Sequence, residues 1–194
     1  MCKHFFLLSF FAIALLVTSP VTAQDNEGEA SADMQIWMDY MTPGPMHEMM
    51  MKSSGEWKSV SKFWMDPSGE PMVSDGAVKF EMILGGRYMK STHTGTMMGM
   101  PFEGIFLQGY DNTTTEFTAI WIDNMGTGTS VAKGKYDEAS KSIMYEGTMF
   151  DPMSKQELKY KQSVKFLDDN HQLVEMFMDN NGTEFKMMET DITR

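Results

Sequence analysis

Clusters of turn-forming residues recur from Gly55 onwards at intervals of roughly 8–14 residues, and this spacing constrains the fold more than any other feature. No long helical period interrupts the pattern after Gly55. Short strand-length runs between frequent turns are typical of an antiparallel barrel or sandwich. The strongest separators combine Gly, Pro, Asn and Asp, which are Asp66-Pro67-Ser68-Gly69, Gly85-Gly86, Met98-Gly99-Met100-Pro101, Asp111-Asn112, Asp123-Asn124-Met125-Gly126, Asp151-Pro152, Asp168-Asp169-Asn170 and Asn180-Asn181-Gly182.

Between the separators lie ten segments that we predict to be β-strands. Phe102, Phe106 and Tyr110 alternate onto one strand face, but Ile105 and Leu107 make the opposite face apolar too. Closing such a sheet into a barrel removes its exposed edges. We therefore predict an all-β fold, an antiparallel up-and-down barrel of about ten strands. The predicted strands are 56–65, 72–84, 87–96, 102–110, 115–122, 127–136, 142–150, 155–167, 172–179 and 183–193.

The N-terminal 41 residues differ in character from the strand-rich remainder. Residues 1–23 combine a short basic start, an apolar run and small residues around Ala23, which indicates a secretory signal peptide cleaved after Ala23. Residues 24–41 are predicted to be an acidic tail followed by a short helix over 33–41. A second short helix is predicted from Pro45 to about Lys52, and residues 42–194 form the barrel domain. We expect a secreted or periplasmic protein.

The net charge of the chain limits the kinds of molecule that it can bind. The formal net charge is −11, which argues against nucleic acids and anionic membranes, because both bind basic surfaces. Cys2 is the only cysteine and lies within the predicted signal peptide, so we expect no disulfide and no lipid anchor in the mature chain. With the predicted barrel, we expect a small apolar or amphipathic ligand as a partner.

Two groups of motifs resemble known families. Gly55-Glu56-Trp57 is similar to the Gly-x-Trp start of lipocalin-like (calycin) barrels, in which the Trp plugs the closed end beneath a basic residue. That resemblance implies that Arg194 packs on Trp57 as a cation–π pair. A longer ordered set resembles the bacterial family of unknown function DUF1579 over residues 42–194. It comprises Thr42-Pro43-Gly44-Pro45, His47, Gly55-x-Trp57, Leu84-Gly85-Gly86-Arg87-Tyr88, Met97-Met98-Gly99-Met100-Pro101-Phe102-Glu103-Gly104, Gly109-Tyr110-Asp111-Asn112, Trp121-Ile122-Asp123 and Thr193-Arg194. It implies a lipocalin-like barrel and no particular activity.

Three histidines remain outside the predicted signal peptide. His171 fits a solvated turn residue. His93 lies in mid-strand and faces either the interior or solvent. His47 precedes the predicted plug and forms either a hydrogen bond between helix and barrel or a contact to a ligand; distantly similar barrels hold haem through one imidazole. No spacing typical of a zinc site is present, and we expect no cofactor.

Arg87 follows two glycines at a predicted strand start. A buried Arg needs a carboxylate partner, for which Glu103 and Asp123 are candidates. This pair either locks two hairpins or leaves Arg87 to anchor an anionic ligand head. The complete set of candidate ligand-binding residues is His47, Trp57, Arg87, His93, Phe106, Tyr110, Trp121 and Asp123.

Catalysis has little support in the sequence. It contains no nucleophile elbow, phosphate loop or dinucleotide fingerprint. Methionine is abundant, with 23 residues, and indicates either core packing in place of leucine or binding of soft metals such as Cu(I). We expect an exported barrel that binds a small, partly apolar ligand. The alternatives are a filled structural or interaction barrel, an enzyme and a copper-binding protein.

Overall fold

A computed structural model of the chain describes residues 26–180 and 183–194. The predicted signal peptide, residues 1–23, lies outside the described residues. The described part of the chain divides at Trp37 into two units, and the second begins at Met38. Helix α1 runs from Asn26 to Met41 and helix α2 from Pro45 to Met51. Neither described helix combines the length and the apolar character that crossing a bilayer requires.

Ten strands follow the helices, as the turn spacing predicts. They are β1 (Gly55–Phe63), β2 (Met72–Ile83), β3 (Tyr88–Met97), β4 (Met100–Asp111), β5 (Glu116–Asp123), β6 (Ser130–Asp137), β7 (Ser142–Asp151), β8 (Gln156–Asp168), β9 (His171–Asn180) and β10 (Thr183–Thr193).

The strands form a closed antiparallel barrel in which each strand pairs with its neighbours in sequence, and β1 completes the ring by pairing with β10. Lys58 lies opposite Thr193 and Phe63 opposite Met188 in this closing ladder. Because the chain alternates direction, the ends of β1 and β10 at Gly55 and Thr193 share one end of the barrel. Helix α2 precedes that end, which we call the closed end; the other is the open end.

Several predicted strand boundaries differ from the structure by one to three residues, including the start of β6 at Ser130 instead of residue 127, and the start of α1 differs most. Helix α1 begins at Asn26 instead of residue 33, and the intervening segment contains Glu27, Glu29 and Ala30, residue types that favour helix or its first turn. Strand β4 begins at Met100, because the turn needs only Met98 and Gly99, at φ 51° and 78°. Two positive φ angles are typical of the tight hairpin turns whose twist matches the flanking strands.

Other turns use an aspartate to hold the backbone. The Asp137 carboxylate accepts hydrogen bonds from the N–H groups of Ala139 and Ser140, and Asp151 does the same for Met153 and Ser154. The hydroxyls of Ser140 and Ser154 also donate hydrogen bonds to these carboxylates. The hydroxyl bonds are the largest cause of the lowered pKa of both carboxyls, and the backbone bonds add to it. The β6–β7 turn, which contains no Gly, Pro or Asn, is therefore a well-bonded hairpin.

Glycines make room for aromatic rings on the inner face. A Cβ on Gly147 would lie 2.6 Å from the Tyr160 ring, and one on Gly134 would lie 2.6 Å from the Tyr145 ring. Gly104 similarly receives the ring of Trp121. Each ring thus lies flat across a neighbouring strand, which packs the wall of the barrel without filling its centre.

Candidate functional site

The barrel encloses a cavity of about 280 Å³ that extends from the open end to wall residues close to the plug, such as Gln172 and Ile192. Small or polar side chains project into the cavity, including Ser61, Ser91, Ala119 and Ser130. Larger apolar side chains complete the wall: Phe63, Phe80, Met89, Met97, Phe102, Phe106, Trp121, Met125, Met149, Val164, Phe166, Val174, Met176, Met187, Met188 and Ile192. The interior is therefore not filled. The alternative of a structural barrel would require a filled interior.

Most polar groups on the cavity wall have partners within the wall. The hydroxyls of Ser61 and Thr190 lie 2.9 Å apart, and those of Ser130 and Tyr160 lie 2.7 Å apart. Burial raises the pKa of Tyr160, so its hydroxyl stays protonated at neutral pH. These pairs leave a largely apolar surface with few free hydrogen-bonding groups.

His93 faces the interior, which resolves its predicted orientation. Its Nε2 lies 3.2 Å from the Ser91 hydroxyl, and its ring meets the Trp121 ring edge-on at 5.2 Å between centroids. Burial lowers the pKa of His93 to about 4. The imidazole is therefore neutral at physiological pH and carries no charge toward the cavity.

Trp121 and Asp123 form a second polar point, nearer the open end. The indole Nε1 donates a hydrogen bond to the Asp123 carboxylate at 2.7 Å, and the Met125 N–H donates another at 2.9 Å. Phe102 stacks on Trp121 with centroids 6.3 Å apart. The carboxylate is held within the wall and satisfied by two donors.

Gln108 is the fully buried polar group of the wall that lacks a partner; the partly buried amide of Gln162, on β8, also lines the cavity. Gln108 is 2 % exposed, and its Nε2 has no hydrogen-bond partner among the described residues. Tyr145 Oη and Ser163 Oγ share this condition, but neither side chain lines the cavity. An unpaired buried amide costs about 1–3 kcal/mol of folding free energy.

His47 lies outside the cavity, in the α2 plug of the closed end. Its Nδ1 accepts a hydrogen bond from the Gly44 N–H at 3.1 Å, and its ring meets Tyr110 edge-on at 5.9 Å. Burial is the main cause that lowers the pKa of His47, with the Arg87 charge adding to it and the Tyr110 carbonyl opposing it. The side chain joins helix to barrel, the first of its two predicted roles.

Trp57 also belongs to the closed end, and its predicted partner is confirmed. The Arg194 guanidinium lies over the indole, 4.4 Å from its centroid, and donates hydrogen bonds to the carbonyls of Lys52 and Ser54. The Trp57 Nε1 donates to the Ser53 carbonyl at 2.7 Å. Trp57 plugs the barrel and does not line the cavity.

The prediction that Arg87 forms a buried ion pair with Glu103 or Asp123 is wrong, whereas its role as a ligand anchor stays a prediction. Arg87 is exposed and donates hydrogen bonds to the carbonyls of Leu84 and Met41. It comes directly before β3 at the closed end, whereas Asp123 ends β5 at the open end. Glu103 is also exposed. Tyr110 packs beside His47 and Phe117 and likewise lies outside the cavity wall.

The histidines do not assemble a catalytic centre or a metal centre among the described residues. No described group of three or more His, Cys, Asp or Glu could hold a metal ion. His93 bonds to the Ser91 hydroxyl, which also lies near the Phe106 carbonyl, and no hydrogen bond joins this pair to a described carboxylate. His171 starts β9 and bonds to Asp191 at 2.9 Å instead of lying free in a turn.

The methionines of the barrel interior occupy two settings, while others, such as Met65 and Met153, are exposed at the surface. Met46, Met49 and Met50 pack in or against the core of the closed end, which accounts for the densest sequence cluster by packing. Seven others line the cavity: Met89, Met97, Met125, Met149, Met176, Met187 and Met188. Thioether side chains give this wall a polarisable surface that adapts to different shapes. Copper binding stays an untested alternative.

Of the eight candidate residues, the structure brings together His93, Phe106, Trp121 and Asp123 and places the other four at the closed end or outside. Sequence reasoning missed Gln108 as a site residue, although it alternates with Phe102 and Phe106. A lone amide on an otherwise apolar strand face is the signal that identifies it.

Comparisons with other proteins agree with this architecture. Rv2717c from M. tuberculosis is similar in structure, with a TM-score of 0.57 and 14% sequence identity over 79% of this chain and 99% of that one. At this identity the likeness concerns the fold alone. No curated protein matches the chain. The family model described as protein of unknown function (DUF1579) matches residues 42–194, so the chain belongs to this family.

Proposed function

We propose that this protein is an exported barrel that binds one small, partly apolar molecule in its interior. The observation that carries the proposal is the cavity of about 280 Å³ with its largely apolar wall. Ligand sites in proteins are typically concave and apolar, with a few polar groups that fix orientation. Ser91–His93, Gln108 and Trp121–Asp123 supply such groups here.

The volume limits the size of the ligand. A dry cavity of about 150 Å³ holds benzene, so the present cavity accommodates about 10–15 non-hydrogen atoms. Burying that much apolar surface supplies the main driving force for binding. The mobile thioethers of the wall favour a set of related shapes over one rigid shape.

Export is the second part of the proposal. Its support is the apolar run of residues 5–17 followed by small residues at 21–23. The test is the mass of the protein recovered from the exported fraction of its host. A mass that begins at Gln24 is expected, and intact Met1 in the cell interior would contradict export.

Binding is tested with 1-aminoanthracene, a small neutral fluorophore that brightens in apolar surroundings. We expect saturable binding to the wild type and at least tenfold weaker binding to Ala119→Phe, whose side chain projects into the cavity from β5. Thr118→Phe is the matched control, because residue 118 faces outward on the same strand.

Val174→Phe fills the cavity from β9 and guards against a folding defect specific to residue 119. Both cavity variants should melt cooperatively. Equal affinity in the wild type and in both filled variants would place the probe elsewhere and overturn the proposal. Native mass spectrometry of protein from the exported fraction then identifies the natural ligand by the mass lost on denaturation.

A further inference from the structure

The charges that face the cavity are unevenly distributed. Among the described residues, no Lys or Arg lines the cavity wall. The ionisable groups there are Asp123, the neutral imidazole of His93 and the protonated phenol of Tyr160. A carboxylate ligand thus finds no cation to replace the water that it loses, and burying an unpaired charge is costly.

Asp123 and Gln108 lie at different depths in the cavity. Asp123 lies level with Gly104 across the β4–β5 ladder, whereas Gln108 lies four residues farther toward the closed end. At a rise of about 3.4 Å per residue, the two side chains are about 13 Å apart along the strand. An anionic head is disfavoured in either orientation, because it meets the Asp123 carboxylate near the open end or an uncharged wall at depth.

The deep end is suited to an uncharged polar group. The Gln108 amide is buried between the positions of Met89 and Ala119 on the adjacent strands, and its Nε2 lacks a partner among the described residues. A primary amide both donates and accepts hydrogen bonds, which matches a hydroxyl or a carbonyl. A bond of this kind would satisfy the amide and orient the ligand.

A cationic head meets one described carboxylate on the cavity wall, Asp123, which lies near the open end and far from the Gln108 amide. Both Asp123 oxygens already accept hydrogen bonds, one from the Trp121 indole and one from the Met125 backbone. No other described carboxylate lines the cavity.

We propose that the cavity selects uncharged amphipathic molecules, such as alcohols, aldehydes or ketones with an apolar chain or ring, whose oxygen bonds to the Gln108 amide. This inference rests on the proposed function, since it names the ligand class of the same cavity. It assigns Gln108 a binding role that has a cost in folding stability.

The experiment is a competition against bound 1-aminoanthracene with three ligands of equal chain length: 1-decanol, decanoate and decylammonium, at neutral pH. We expect 1-decanol to displace the probe at concentrations at least tenfold lower than decanoate, and lower than decylammonium. Equal potency of alcohol and carboxylate, or the highest potency for the ammonium, would overturn the inference while binding of the probe still supports the proposed function. Absence of probe binding would instead refute the proposed function itself.

Gln108→Leu gives a second, independent result. It should weaken binding of 1-decanol about fivefold or more and leave the melting temperature of the ligand-free protein unchanged or raised, because an unpaired buried amide is removed. Gln156→Leu, at an exposed position on β8, is the matched control and should change neither quantity. A Gln108→Leu protein that melts lower and binds 1-decanol normally would show a structural role and contradict the assignment.

Discussion

The two ends of the barrel are built from the same ladder but differ in how their interiors are occupied. At the closed end, Trp57, Phe117, Ile143 and the α2 residue Met50 fill the space and are at most 3 % exposed. Toward the open end, Ser61, Ser91, Ala119 and Ser130 stand at corresponding inward positions, and a cavity of about 280 Å³ results. The strand ladder is the same at both ends. The size of the inward-facing side chains therefore decides whether the interior is a packed core or a cavity.

The two ends also differ in how completely their buried polar groups are hydrogen-bonded. In the plug, Gln172 donates to the Ser53 hydroxyl at 2.8 Å, Trp57 donates to the Ser53 carbonyl, and His47 accepts from Gly44. In the hollow half, Gln108 keeps an unpaired amide. The closed end is therefore the source of stability, and the open end tolerates an energetic cost that a ligand can offset.

The largest expected effect comes from removing the plug. Trp57→Ala should lower the free energy of unfolding by about 3–5 kcal/mol, because it deletes a fully packed aromatic ring. Trp121→Ala, the matched change in the hollow half, should cost less, because Trp121 is only partly buried and already borders a cavity. Urea unfolding of both variants measures the difference.

The same pair separates stability from binding. Trp121→Ala should weaken binding of 1-aminoanthracene, whereas Trp57→Ala, studied below its melting temperature, should bind nearly as the wild type does. If Trp121→Ala cost as much stability as Trp57→Ala, the proposed division between a packed end and a hollow end would be wrong.

A smaller loss is expected where an aromatic ring crosses a glycine. Gly147→Ala places a methyl group 2.6 Å from the Tyr160 ring, which would have to move from its bond with Ser130. Overpacking of this kind costs about 1–3 kcal/mol. Gly128→Ala is the control, since no atom lies within 4 Å of its added Cβ. Thermal melts that show equal stability for the two variants would argue against tight ring packing in the wall.

Much of this fold is predictable from local signals. Turn chemistry located all ten strands, and the Gly-x-Trp motif located the plug, because both depend on residues close in sequence. The start of α1 was missed because the acidic composition of residues 24–32 outweighed its helix propensity. The extra turn residues assigned around Met100 and Pro101 show that a turn signal marks a region and not its exact limits.

The site was less predictable, and Arg87 shows why. Its position after two glycines suggested a buried charge, but burial depends on which end of the barrel a strand starts from, and helix α1 supplies the Met41 carbonyl that it bonds. Conversely, Gln108 shares a strand face with Phe102 and Phe106, yet its lack of a partner could be seen only when the neighbouring strands were in place.

The cavity should also respond to pH through His93. Its pKa is about 4 in the folded protein, below the ordinary value of 6.5, so the unfolded chain binds a proton first as the pH falls. Stability present above about pH 6.5 is then lost progressively toward pH 4, and we expect a loss of about 1–2 kcal/mol between about pH 7 and about pH 5. His93→Gln, which keeps a partner for Ser91, should flatten this slope in urea unfolding.

Other titratable groups also contribute to the pH dependence of stability, and their contributions can be told apart from that of His93. The pKa of His47 is also lowered, so part of the slope should persist in His93→Gln. Hydrogen bonds from lysines lower the pKa of Glu175 and Glu189, whose contribution is lost only at more acidic pH. An unchanged slope in His93→Gln would mean that the imidazole is accessible to bulk water and that the cavity is wetter than its wall suggests.

The smallest effect concerns the outer contact of the plug. Arg194→Ala removes a cation–π contact and two hydrogen bonds from an exposed side chain, so a loss of about 1 kcal/mol is expected. Arg87→Ala is a close control, because Arg87 is exposed at the same end and also bonds to two backbone carbonyls, but no aromatic contact involves it among the described residues. Only Arg194→Ala should shift the tryptophan emission, since the guanidinium covers Trp57. If both variants shifted the emission equally, the signal would report a general loosening of the closed end, and the plug would depend less on this one contact than the 4.4 Å geometry indicates.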